Sequence, residues 1–113
     1  MKSKQFNKKS FNEKIYFLLK KVPKGKVTTY KSLADKLNTK AYRAIGQAMR
    51  RNPYAPKVPC HRVVSSDGSI GGFMGSNNPN GKEIKKKIGM LRGEEVKIKN
   101  NRIVDFESKI YEF

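Results

Sequence analysis

The chain contains one cysteine and one histidine, and they are neighbours: Cys60 and His61 stand in the run Pro59-Cys60-His61-Arg62-Val63. A thiol and an imidazole together offer a nucleophile and the base that could generate its thiolate. An ordinary thiol, with a pKa of ~8.5, needs such a base near neutral pH. Two other uses are excluded by count. A lone Cys cannot form an intramolecular disulfide, and one Cys with one His cannot supply the three or four nitrogen and sulfur ligands of a usual zinc site, so no metal is expected. A buried structural thiol is the competing reading, since free cysteine is among the most buried residue types.

The rest of the composition says what such a thiol would act on. Across 113 residues, 26 Lys and Arg stand against nine Asp and Glu, a formal charge of +17 with a pI near 10.2. That excess repels itself in a compact state, and bound phosphates would relieve it, so a nucleic acid is the expected partner. No run approaches the roughly 20 apolar residues of a membrane span. Met1 to Ser10 has no apolar stretch of the secretory type. An intracellular, reducing location follows as the expectation, with no membrane partner. The length and a 36% apolar composition suit one domain over residues 1–113 with one modest core.

Several elements must position the pair. Ser10 and Glu13 have capping-box spacing, and Phe11, Ile15, Leu18, Leu19 and Val22 follow at helical intervals until Pro23 and Gly25. Val27 to Thr29 is a short extended piece, and Thr29 can cap a second helix over residues 30–37. After a turn at Asn38-Thr39, residues 40–51 place Ala41, Ala44, Ile45, Ala48 and Met49 on one face, with Arg43, Gln47 and Arg50 opposite. Two short helices of this kind, the second basic on its outer face, make a helix-turn-helix over about 30–51.

Residues 52–76 then turn to prolines, the β-branched pair Val63-Val64 and glycines, which reads as a loop and short strand that display a site. On such an extended segment the side chains of Cys60 and His61 would point to opposite faces. Ile84, Ile88 and Leu91 predict a last helix over 82–92 with Lys85, Lys86 and Lys87 facing outward. Asn100-Asn101 between Val96 to Lys99 and Arg102 to Val104 predicts a hairpin. The fold class expected is mainly α with a small β element, a winged-helix-like or helix-turn-helix DNA-binding domain.

From about Phe11 to Val96 the chain resembles the active-site domain of the O6-alkylguanine-DNA alkyltransferases. The residues concerned are Val27-Thr28-Thr29-Tyr30, Ala41-Tyr42-Arg43-Ala44-Ile45-Gly46, Ala48-Met49-Arg50, Asn52-Pro53, Pro59-Cys60-His61-Arg62-Val63-Val64 and Gly68-Ser69-Ile70-Gly71-Gly72. The resemblance implies single-turnover transfer of an alkyl group from flipped O6-alkylguanine in duplex DNA to Cys60, with no cofactor; nothing in the sequence demands a dimer, so a monomer is expected. It makes His61 the water-relayed base, oriented by a glutamate, with Asn52 holding the turn that carries the thiol. In the family that glutamate lies in a Leu-Leu-x-x-Glu-Gly run; Met90-Leu91-Arg92-Gly93-Glu94-Glu95 aligns it with Glu94, with Glu95 as the alternative. Arg43 becomes the intercalating finger and Tyr30 the residue that turns the nucleotide at its phosphate. Ala41, Gly46 and Arg50 lie on the DNA-facing side. The base pocket would use the backbone around Cys60 and Val63 and the loop residues Phe73, Met74 and Gly75.

Two departures bear on function. Phe73 stands where the family commonly has Tyr, so it can stack on a base but cannot donate to the leaving guanine. Only about ten residues precede the first helix, so no N-terminal accessory domain is expected. Two other functions stay open at this point: an alkyltransferase-like protein that binds the lesion without repairing it, and a plain helix-turn-helix regulator with a structural Cys60.

Overall fold

The computed structural model describes residues 9–73, 76, 78 and 80–113. Helix α1 spans Phe11–Leu19 and begins with the reciprocal cap that the spacing predicts. The Glu13 amide donates to Ser10 Oγ at 3.2 Å, and the Ser10 amide donates to Glu13 Oε1 at 3.3 Å. Its buried stripe is Ile15, Tyr16, Leu18 and Leu19, continued by Val22.

Strand β1, Thr28–Thr29, runs straight into helix α2, Tyr30–Lys36, because Thr29 is both the last strand residue and the cap: its Oγ1 accepts from the Ser32 amide at 2.9 Å. Asn38 takes a left-handed φ of 54°, and the chain reverses into helix α3, Tyr42–Arg50. Ile45 and Ala48 of α3 pack against α1 and α2, and Arg43, Gln47 and Arg50 face solvent. Ala41 corrects the predicted stripe. It is exposed at the N-cap of α3, where the backbone has not yet entered helical geometry and the 3.6-residue period does not apply.

Strand β2, Val63–Val64, lies parallel to β1 with Thr28 opposite Val63 and Thr29 opposite Val64. This pairing fastens the segment after the Cys-His run to the start of the helix-turn-helix. Helix α4 spans Lys82–Gly93, and strands β3 (Ile98–Lys99) and β4 (Arg102–Ile103) form the predicted antiparallel hairpin. Asn100 and Asn101 both adopt positive φ, 52° and 62°, as a two-residue connection requires. Residues 105–113, for which sequence pattern supplies no expectation, form a short helix α5, Phe106–Lys109, and then a strand-like contact in which Ile110 lies parallel beside Val27. The Val27 amide donates to the Lys109 carbonyl at 2.9 Å, and the Tyr111 amide donates to the Val27 carbonyl at 2.8 Å.

Among the described residues, most buried apolar side chains fall into two clusters, one built by α1, α2 and α3 with Val58 and Val63, the other by Val27, Val64, Ile70, Ile84, Leu91, Val96 and the hairpin. Cys60 packs against both. The thiol therefore sits at the seam between the helix-turn-helix half and the α4 half.

The lysine run on α4 divides. Lys85 and Lys86 are exposed as expected, but Lys87 is fully buried. Its position explains this: Ile84, Lys87, Ile88 and Leu91 fall at i, i+3, i+4 and i+7, so Lys87 belongs to the inward stripe.

Glu95 holds a left-handed φ of 68° just beyond α4, a geometry suited to glycine. Glu95→Gly is expected to raise the unfolding free energy by about 0.5–1 kcal/mol, the left-handed penalty less the added chain entropy of glycine. Urea denaturation of the two proteins reads this, and an unchanged or lower midpoint would contradict it.

Candidate active site

Local chain geometry first fixes where the thiol points. Pro59 and the residues after it form a single 3-10 turn, Cys60–Arg62, in which the Arg62 amide donates to the Pro59 carbonyl at 3.0 Å. The extended segment expected here does not form, because Pro59 presets a turn-compatible φ of −84° and has no amide to place in a ladder. The turn is anchored from upstream by Asn52. Its Nδ2 donates to the Val58 carbonyl at 2.7 Å while its Oδ1 accepts from the Tyr54 amide at 2.9 Å. The Cys60 amide donates to the same Val58 carbonyl, so Asn52 and Cys60 share one acceptor.

His61 is 2% exposed, and its Nε2 lies 3.0 Å from Glu94 Oε2. Of the two aligned glutamates, the structure brings Glu94 to the imidazole and leaves Glu95 exposed. Glu94 is gripped a second time: Arg62 Nε donates to its Oε1 at 2.9 Å and the Arg62 Nη2 to its Oε2 at 2.7 Å, while Nη1 reaches the Val22 carbonyl at 2.8 Å. Burial works against the ionised Glu94 carboxylate, but hydrogen bonds from Arg62 and His61 outweigh it and hold its pKa below 4.5. An ionised Glu94 at Nε2 calls for a proton on that nitrogen, which leaves Nδ1 with the lone pair. Burial is also the main reason the His61 pKa lies below 6.5; Glu94 pulls it up, and the charges of Arg62 and Lys87 push it down again. His61 is thus a neutral base near pH 7.

A cavity of about 450 Å³ opens in front of the thiol. It gathers Tyr30, Arg43, Gly46, Arg50, Cys60 and Phe73 of the expected residues and adds Gln47, Met49, Ser65, Gly71, Gly72 and Ser76. The size lies within the range of small-molecule sites. Tyr30 is kept protonated, its pKa raised first by burial and then by the charge of a nearby Cys60 thiolate. Phe73 is 9% exposed, with its ring in the second core cluster. Met74 and Gly75 lie outside the described residues. Ala41 stands apart from the cavity lining, and His61, Glu94 and Asn52 lie behind the thiol turn.

Gly46 is informative for what it does not touch. A Cβ there would meet nothing within 4 Å, so packing within the chain does not demand glycine, although glycine inside a helix costs about 1 kcal/mol relative to alanine. Its place on the cavity rim beside Arg43 and Arg50 fits a surface that another molecule must approach closely.

Besides the added lining residues, Arg62 and Lys87 take part in this region without having been expected from the sequence. Arg62 carries no signal beyond its place in the Cys-His run. Lys87 does, through the helical stripe described above. Its Nζ donates to the carbonyls of Val63 at 2.7 Å, Ile70 at 2.6 Å and Gly72 at 3.0 Å. Burial brings its pKa down to about 7, with the negative charge of a Cys60 thiolate acting in the opposite direction.

Residues 10–96 match the family model for the 6-O-methylguanine DNA methyltransferase DNA-binding domain. The chain belongs to that family. It is 43% identical over 94 residues to the methylated-DNA–protein-cysteine methyltransferase of Candida glabrata, a match covering 82% of this chain and 42% of that protein. The crystal structure of the O6-methylguanine-DNA methyltransferase of Pyrococcus kodakaraensis superposes with a TM-score of 0.64 at 44% identity, covering 79% of this chain and 48% of that one. The chain thus spans about half or less of the length of these relatives. Schizosaccharomyces pombe Atl1, solved in complex with damaged DNA containing O6-carboxymethylguanine, shares the fold over the whole of both chains, with a TM-score of 0.74 at 24% identity. Among the described residues, no helix is long and apolar enough to cross a membrane.

Proposed function

We propose that this protein repairs duplex DNA by moving an alkyl group from O6 of a flipped guanine to Cys60 Sγ, once per molecule. The observation that carries the proposal is the placement of Cys60 on the wall of a cavity rimmed by the exposed face of α3, with the neutral base His61 and its partner Glu94 behind it. In the reaction the S–H proton passes by way of a water to His61 Nδ1. The sulfur attacks the alkyl carbon in line, forming a C–S bond as the O6–C bond breaks. The departing guanine takes up one proton, so charge and atoms balance, and the thioether has no route back. Arg43, exposed on α3, fills the gap left in the stack. Tyr30, protonated on the cavity wall, meets the nucleotide backbone, and Gly46 lets the helix sit close in the minor groove.

Phe73 supplies an apolar ring for stacking but no hydroxyl for the leaving oxygen, so transfer lacks that stabilisation from this position. Intact-protein mass spectrometry after incubation with a duplex containing one O6-methylguanine tests the proposal. Gain of one methyl group per molecule, absent with undamaged duplex, is the expected result. Tight binding to the damaged duplex without any mass change would instead make this a lesion-binding protein.

A further inference from the structure

Lys87 is an unusual occupant of its site. It is fully buried on the inner stripe of α4, and the partners of its ammonium are the three carbonyls of Val63, Ile70 and Gly72. An ammonium has three N–H donors, and here all three are used. A buried charge held by neutral acceptors is costly, and an apolar side chain of similar shape would avoid that cost. The fold of α4 alone therefore does not account for a lysine.

The carbonyls it collects do. Val63 follows the Cys-His turn, whereas Ile70 and Gly72 belong to the glycine loop across the cavity. That loop is anchored on either side of its glycines, by the buried Ile70 side chain, by the Ile70 amide on the Asn101 carbonyl at 3.0 Å and by the Phe73 ring in the second core cluster, but Gly71 and Gly72 have no side chain to hold them. Gly71 sits at a φ of +73°, and a Cβ there would come within 2.9 Å of Ser65 Oγ, so the backbone is both sharply turned and bare of side chains. Gly71 and Gly72 line the cavity directly, which makes their backbone position the shape of the wall. One cation bonded to both segments sets the gap between them.

We propose that Lys87 is a positioning residue for the flipped base: by tying Val63, Ile70 and Gly72 together it makes the cavity wall rigid and sets how a purine sits over Cys60. This rests on the alkyltransferase reading, since it is that reading which puts a base in the cavity.

The test uses lesion binding in a Cys60→Ala background, where no transfer consumes the complex. Duplexes with and without one O6-methylguanine are titrated by fluorescence anisotropy. Lys87→Met, which keeps the length and loses the donors, is expected to weaken binding to the damaged duplex about tenfold while changing undamaged binding by less than about twofold, the loss of roughly one well-placed hydrogen bond to the base. Lys87→Gln, with two N–H donors, should recover part of the preference. A loss shared equally by both duplexes in a cooperatively melting variant, or an undiminished preference, would overturn the proposal. Should Lys87→Met lose its cooperative melt, Lys87→Gln decides by the same comparison. If the Cys60→Ala parent shows no preference for the damaged duplex, it is the alkyltransferase reading that has failed and not the role of Lys87.

Discussion

Cys60→Ala is expected to abolish alkyl transfer completely while leaving affinity for the damaged duplex within about threefold of the parent. The two halves of this result come from different parts of the structure. Transfer needs the one sulfur in reach of the cavity that can form a thiolate, and no other side chain there is a nucleophile of comparable strength: Ser65 and Ser76 are hydroxyls, Tyr30 is held protonated, and His61 sits behind the turn. Binding relies on the α3 face and the cavity walls, which the substitution leaves in place, because the turn is held by backbone bonds and Asn52 and not by the thiol. Intact mass after incubation and an anisotropy titration give both numbers. A methyl adduct on the alanine variant would place the acceptor elsewhere and defeat the mechanism.

His61→Gln is expected to slow transfer by about 100-fold or more, in the range of a positioned general base. The pH profile separates this from a folding defect. Because the folded His61 pKa is held below 6.5, the wild-type rate should persist down to that pH and fall beneath it, as protonation at Nδ1 removes the base. The glutamine variant should lack this acid limb. Stability also changes in that range, with a sign that can be worked out. Unfolded His takes up a proton near 6.5 and folded His61 only at lower pH, so acid favours the unfolded chain; Glu94, with its folded pKa below 4.5, adds the same sense lower down. Lys87, with its folded pKa brought down to about 7, adds the same sense close to pH 7 and nothing well below it, where it is charged in both states. Melting temperatures measured at each pH keep the two effects apart, and an acid limb that survives in the glutamine variant would remove His61 from the role of base.

Local signals in the sequence suffice where one short stretch decides the outcome: the Ser10–Glu13 box, the Thr29 cap, the asparagine turn at 100–101 and the stripe of α3 from Ile45 to Ala48. Alignment with the family run puts Glu94 ahead of Glu95, but local spacing does not separate them, since adjacent glutamates differ by which side of the last turn of α4 they leave, and that depends on where the helix stops. The turn at Cys60–Arg62 differs from the expected extended segment because three residues have no period to reveal it. Lys87 looks like a surface residue on charge alone, although its spacing from Ile84 and Leu91 already places it inside. The parallel pairing of Thr28–Thr29 with Val63–Val64, and of Val27 with Ile110, joins segments far apart in the chain, and two-residue strands leave almost no pattern to find.

That last pairing has a consequence for synthesis. Lys26 Nζ also donates to the Ser108 carbonyl at 2.8 Å, so a contact across 82 residues reinforces the one between Val27 and Ile110. On a ribosome the nascent chain presents Val27 long before its partner exists, and while residues 105–113 remain in the exit tunnel the outer edge of β1 has no neighbour from them. Helices α1 to α3 can assemble as they emerge, but the edge of the strand that leads into them closes only once residues 105–113 have followed, by a long and therefore slow loop closure. The order of manufacture thus places completion of this edge after the thiol has already come into solution.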